Sequence, residues 1–140
     1  MDNERLNKEG YPDPTPHEAL KNIEKEERKM SGLGFRPVVY ICSPFRGDVQ
    51  KNIENARRFC RFAIYKGAIP FAPHLLYPQF MDDCNGEERK LALFMGQVML
   101  DKCAEVWVFG NEISSGMAGE ISRAQEKGKR IRRFNTEVML

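Results

Sequence analysis

The 140-residue sequence lacks several features that would have assigned it to a class at once. It has no strong charge excess: 22 basic residues oppose 20 acidic ones, for a net charge of +2. A dedicated nucleic-acid binder usually carries a marked basic surplus, so nucleic acid is not an expected partner. No apolar run approaches the roughly 18 residues that a membrane span needs. The N-terminal stretch "MDNERLNKEG" has no signal-peptide hydrophobic region, which makes a cytoplasmic protein the expectation. Neither GxGxxG nor a Walker loop is present. The four cysteines, Cys42, Cys60, Cys84 and Cys103, form no CxxC pair, and their spacing matches no zinc pattern. They read as free thiols packed as small hydrophobes, with no metal site.

What is present suits a folded α/β domain. Hydrophobic residues make up 41% of the chain, enough for a core. Residues 1–36 stand apart: proline punctuation leads into a charged helix that begins at Thr15-Pro16-His17-Glu18, a cap, an N1 proline and a capping-box acid. Only Ala19, Leu20, Ile23 and Met30 are apolar in it, so residues 1–36 are read as an arm packing on the domain or on a neighbouring subunit. Gly32 and Gly34 are read as a hinge.

From residue 37 strands and helices alternate. The short runs 38–42, 68–73, 105–110 and 130–134 read as strands. The helices read as about 49–66, from Asn85 to about 103, and 116–127. Val49, Ile53, Ala56, Cys60 and Ala63 form the inward stripe of the first of these helices, and Leu91, Phe94, Met95 and Val98 that of the second. Such alternation predicts a Rossmann-like or flavodoxin-like parallel sheet of about four strands flanked by helices, over residues 37–140.

In that architecture ligands sit beyond the carboxyl ends of the strands. Three stretches there carry unusual residues. After the first strand come Ser43, Pro44, Phe45, Arg46, Gly47 and Asp48. Gly47 permits positive φ, the helix start favours an anion, and Arg46 offers planar donors; Asp48 reads equally as an ordinary N-cap. After the second strand come His74, Tyr77 and Phe80, a histidine that is either structural or catalytic and aromatics that are either a base-stacking wall or core. After the third comes "SSGMAGE": Ser114, Ser115, Gly116 and Met117 at a helix start, with Gly119 and Glu120 beyond, a second anion cradle with open space beside a carboxylate.

These stretches together resemble the nucleoside 2-deoxyribosyltransferase-like superfamily, which includes the deoxynucleoside 5′-monophosphate N-glycosidases. Tyr40, Cys42, Arg46 and Gly47 match its Tyr-x-Cys-Gly-Ser-x-Arg-Gly pattern, with Ser43-Pro44 in place of Gly-Ser. Ser114, Gly116 and Glu120 match its Ser-x-Gly-x-x-x-Glu pattern. The resemblance covers about residues 37–134 and extends to short bacterial and phage proteins of that superfamily. It implies that Glu120 attacks the anomeric carbon of a nucleoside or nucleotide, that Arg46 and Tyr40 steady the sugar and the carboxylate, and that Ser114 and Gly116 hold a 5′-phosphate. It implies no metal or organic cofactor, and a homodimer or larger homo-oligomer. One position departs from the pattern. Where the family has an Asp, this chain has Gln97; Asp101, one turn later on the same side, is the candidate substitute.

Overall fold

The computed structural model describes residues 5–6, 12–13, 15–30 and 33–136. The chain divides into two units, Met1–Arg36 and Pro37–Leu140. In the first, two-residue strands β1 (Arg5–Leu6) and β2 (Pro12–Asp13) pair antiparallel, and helix α1 spans Pro16–Met30. The capping box closes in both directions: Glu18 N donates to Thr15 Oγ1 and Thr15 N to Glu18 Oε2, each at 3.2 Å. Leu20 and Ile23 are more than half exposed. The side chain of Met30, and Gly32, lie outside the described residues.

The second unit carries a four-stranded, wholly parallel sheet in the order β4-β3-β5-β6. Its elements follow the chain as β3 (Val38–Cys42), α2 (Val49–Tyr65), β4 (Ile69–Phe71), the short α3 (Pro73–Leu76), α4 (Gly86–Lys102), β5 (Glu105–Phe109), α5 (Ser115–Glu126) and β6 (Arg130–Phe134). A single 3-10 turn, Tyr77–Gln79, follows α3. This is a Rossmann-like or flavodoxin-like α/β fold.

Local chemistry explains the boundaries. Asp48 caps α2 by accepting from Lys51 N at 3.2 Å. Asn85 caps α4 by accepting from Glu87 N and Glu88 N, and Ser114 caps α5 by accepting from Met117 N. Gly67, at φ 86°, ends the turn after α2, where a side chain would be strained. β4 pairs only with β3, so Pro70 sits on an edge strand, where its missing N–H costs no central ladder bond. The strand is shorter than expected because Ala72 and Pro73 already belong to the start of α3.

Two core layers sandwich the sheet. One joins Val39, Ile41, Trp107 and Phe109 to Phe59 and Ala63 of α2. The other joins Tyr40, Cys42, Val106 and Val108 to Leu100 of α4 and Met117, Ile121 and Ala124 of α5. Alternation along each strand sends neighbours to opposite faces.

Two expected helix stripes are corrected. In α2 the buried residues are Ala56, Phe59 and Ala63, while Val49 is exposed and Ile53 and Cys60 only half-buried. Phe59 takes the central place because its ring stacks flat on Phe109, 4.4 Å between centroids. In α4 the expected Leu91, Phe94 and Val98 are exposed, Met95 is half-buried, and Gly96 and Leu100 are buried instead. Apolar residues surround that helix from Leu91 to Leu100, so periodicity offered no single face. The inward face is the one with small residues: Gly96 packs beside Tyr40, where a methyl group would lie at an ordinary contact distance of 3.4 Å from the hydroxyl.

Candidate active site

The strand order reverses direction between β3 and β5. The chain leaves β3 through α2 toward β4 and returns through α4 to β5 on the other side. The loops leaving β3 and β5 therefore diverge and open a crevice at their carboxyl ends. A cavity of about 360 Å³ lies there, within the roughly 300–1,000 Å³ typical of small-molecule sites.

Glu120 forms its floor. It sits in the second turn of α5, lines the cavity and is largely shielded from water. The Tyr40 hydroxyl donates to its carboxylate, and the Cys42 thiol lies 3.7 Å from Oε1 in position to donate. Burial pushes the Glu120 carboxyl up to about 7, although both donors pull it down. Tyr40 and Cys42 are themselves pushed far up, first by burial and then by the adjacent carboxylate, so both remain protonated donors.

Around this floor the cavity brings together most of the residues expected from sequence: Tyr40, Ser43, Phe45, Arg46, His74, Tyr77, Gln97, Ser114, Ser115, Gly116, Met117 and Glu120 all line it. At the start of α5, Met117 N–H is taken by the Ser114 hydroxyl and Ala118 N–H by the Ser114 carbonyl. The N–H groups of Ser115 and Gly116 stand at the helix terminus where an anion is favoured. A methyl group at Gly119 would meet nothing within 4 Å, so the face beside Glu120 is open. Opposite, the Phe45 and His74 rings stack at 4.8 Å. His74 Nε2 donates to the Ser43 carbonyl at 3.0 Å, and burial lowers its pKa, so the ring is neutral and serves as a fixed wall. Tyr77 belongs to the wall as well, whereas Phe80 is exposed and does not line the cavity.

Other assignments change. Pro44 and Gly47 do not line the cavity; Gly47 supplies the positive φ, 98°, of the turn between Arg46 and the Asp48 cap. The anion at the α2 N-terminus is the carboxylate of Asp48 itself. Arg46 is exposed and pairs with Asp83 at 3.6 Å, not with Glu120, whose hydrogen-bond donors are Tyr40 and Cys42. Asp101 lies outside the cavity lining. Arg123 grips it through two hydrogen bonds of 3.0 and 2.6 Å, and Lys129 Nζ donates to its carbonyl at 2.7 Å. Those donors hold its carboxyl below the usual range, Arg123 foremost. Asp101 thus ties α4 to α5 and the start of β6, and Gln97 is the residue of the two that faces the cavity.

The residues missed from sequence come mainly from α4 and the segment before it: Asp82, Asp83, Arg89, Ala92 and Gly96. One signal was available: Ala92 and Gly96 lie four apart, small residues on one face of a helix otherwise crowded with Leu, Phe, Met and Val.

Among the described residues no group of three or more His, Cys, Asp or Glu side chains is placed to hold a metal ion, and no helix is long and apolar enough to cross a membrane. The four cysteines are free; burial pushes the Cys60 and Cys103 thiols up to about 11.

A parallel sheet with a carboxylate-lined cavity at its switch point defines the class of α/β architecture, and comparison with known proteins refines it. Residues 37–134 match the family described as Domain of unknown function (DUF7768), and the chain belongs to that family. No curated protein matches the chain. Among solved structures it is similar to the 2-deoxyribosyltransferase of the psychrotolerant bacterium Bacillus psychrosaccharolyticus, with a TM-score of 0.60 over 71% of this chain and 72% of that one, at 16% identity. At that identity the likeness concerns the fold: the domain has a deoxyribosyltransferase-like architecture.

Proposed function

We propose that the protein cleaves or exchanges the N-glycosidic bond of a deoxynucleoside or its 5′-monophosphate, with Glu120 as the nucleophile. The observation that carries this reading is a shielded carboxylate held by two protonated donors, Tyr40 and Cys42, on the floor of a cavity sized for a small molecule. Glu120 Oε attacks the anomeric carbon as the bond to the base nitrogen breaks. The electron pair leaves on that nitrogen, which takes up a proton from solvent or a neighbouring acid. A water then attacks the same carbon, releases the carboxylate, and loses a proton to give the free sugar; a second base attacking instead gives an exchanged nucleoside. The Tyr40 and Cys42 donors keep the attacking oxygens aligned and favour the ionised form. The N–H groups of Ser115 and Gly116, with the Ser115 hydroxyl, suit a 5′-phosphate. The wall of Phe45, His74 and Tyr77 suits a flat base. Family resemblance adds an assembly of two or more copies, in which residues 1–36 serve as an arm.

The test is release of free base from a panel of deoxynucleosides and their monophosphates. Wild-type protein is expected to turn over at least one member, and Glu120→Ala to lose roughly 10³-fold or more of that rate. No turnover of any member at high protein concentration would falsify the catalytic reading.

A second reading is favoured by one feature: Gln97, which cannot act as a base, faces the cavity, while the Asp101 carboxylate is held outside it by Arg123. On that reading the domain binds a nucleotide-like ligand without cleaving it, as a sensor or sequestering module. Recovery of intact ligand after prolonged incubation supports it, and recovery of free base rules it out.

A further inference from the structure

Along α4 the residues that line the cavity recur in one stripe: Arg89, Ala92, Gly96 and Leu100, at steps of three, four and four. The inner end of the stripe fixes its direction, because Gly96 packs beside the Tyr40 hydroxyl and Leu100 shares the core layer of Tyr40. A helix that connects parallel strands starts at their carboxyl ends. Arg89, two turns before Gly96 and about 10 Å from it along the axis, therefore stands on the cavity side at the mouth. It is half-buried, neither sealed in the core nor free in water. Among the described residues the ion pairs join Arg46 to Asp83, and Arg123 and Lys127 to Asp101; Arg89, the third arginine of the cavity lining, enters none of them. It also sits in the opening turn of α4, the end at which a helix dipole disfavours a cation. Neither an ion pair nor the dipole accounts for a guanidinium at this place.

We propose that Arg89 is a specificity-determining residue that reads the acceptor edge of the ligand's base, a carbonyl oxygen beside a ring nitrogen, as O6 and N7 of a 6-oxopurine present it. The planar fork of a guanidinium meets two adjacent acceptors at once, whereas an amino group offers it a donor where it needs an acceptor. Phosphate is the other group a guanidinium grips. Asp82, Asp83 and Glu88 line the same cavity, however, and come from the turn before α4 and its first turn, so the potential around Arg89 opposes a phosphate. From a sugar held at Glu120, a two-ring base reaches farther toward the mouth than a one-ring base, which selects the purine. That the ligand carries a base rests on the function proposed above.

The experiment measures binding by calorimetric titration for wild type, Arg89→Ala and Arg89→Lys. The probes are deoxyguanosine, deoxyinosine, deoxyadenosine, 7-deaza-deoxyguanosine and deoxyguanosine 5′-monophosphate. Wild type is expected to prefer deoxyguanosine and deoxyinosine to deoxyadenosine. Arg89→Ala should weaken those two by about tenfold or more and leave deoxyadenosine unchanged. The 7-deaza analogue, which lacks one acceptor of the pair, should lose less than deoxyguanosine does, and Arg89→Lys, still a donor, should keep part of the preference. A loss confined to the monophosphate overturns the proposal, because Arg89 then holds the phosphate. An equal loss for every probe, or none for any, overturns it as well. Binding with this preference but without release of base leaves Arg89 in its role while the catalytic reading fails. Release of base with an unaltered preference in Arg89→Ala does the reverse. If wild type binds none of the five probes, both readings fall.

Discussion

On the α2 side of the sheet, Phe59, Phe109 and Phe134 stack ring on ring, at 4.4 and 5.2 Å between centroids, with Trp107 and Phe62 closing the edges. Arg132 lays its guanidinium over Trp107 at 5.0 Å and shields that layer from water. On the α4–α5 side the same strands present Tyr40, Cys42, Val106 and Val108, against helices that offer Gly96, Met117 and Ala124. Stacked rings fill one face. The other face mixes large and small side chains, and several of them, Tyr40, Gly96, Leu100 and Met117, also line the cavity that holds the Glu120 carboxylate. The domain thus places its packing energy on one face and keeps space for a ligand on the other, and a two-residue period in β3 and β5 makes the separation possible.

Substitutions on the two faces should therefore fail in different ways. The largest effect is expected from Phe109→Ala. It removes a fully buried ring from the stack and should cost about 3–5 kcal/mol in a denaturant titration. Ligand affinity, measured where the variant is still folded, should be unchanged; a lost ligand would show that the faces are not independent. Next comes Glu120→Gln. Because the folded carboxyl titrates at about 7 and an ordinary one at 4.5, the native state holds a proton that the unfolded chain releases between those values. Wild-type stability then falls as pH rises from about 4.5 to 7. At pH 8 the variant, which carries no charge to bury, should be more stable by up to about 3 kcal/mol, with the gain vanishing below about pH 4.5. A flat difference between pH 4 and 8 would contradict the raised titration.

Turnover should run the other way with pH, rising through about pH 7 as Glu120 ionises. Tyr40→Phe removes a donor to the carboxylate and should move that rise upward by roughly one unit. If the profile stays in place, Tyr40 packs beside Glu120 without tuning it. The smallest effect is expected from Asp101→Asn. It loosens the tie between α4 and α5, with a modest fall in melting temperature and turnover within a few-fold of wild type. A collapse of turnover at unchanged stability would return Asp101 to the catalytic centre.

Much of this arrangement was legible from local rules. The runs 38–42 and 130–134 are the observed strands, and the caps at Thr15 and Asn85 mark the observed helix starts, because cap and β-branched signals act over a few residues. Most of the site residues expected from sequence line the cavity, because the strand-end rule picks out loops before their contacts are known. The pairing of Arg46 with Glu120 and the place of Asp101 in the cavity are not what the structure has, for a common reason. Each is a charge whose partner, Asp83 or Arg123, lies on a different element, and sequence spacing carries no distance between elements. Cys42 is the small core residue expected, and it also reaches Glu120, a contact that spans 78 positions and has no local signature.

By itself, then, the sequence determined the alternation of strands and helices, the parallel sheet that alternation requires, and the strand ends where a ligand can sit. These follow from periodicity, chain reach and the right-handed crossover, all properties of neighbouring residues. Only the tertiary structure decided which side of α4 faces inward, and which carboxylate is buried with donors and which is spent on an arginine. Those outcomes depend on the space between packed elements. At position 96 the sequence offers only a small residue, and the packing of α4 alone shows that it lies against the Tyr40 hydroxyl.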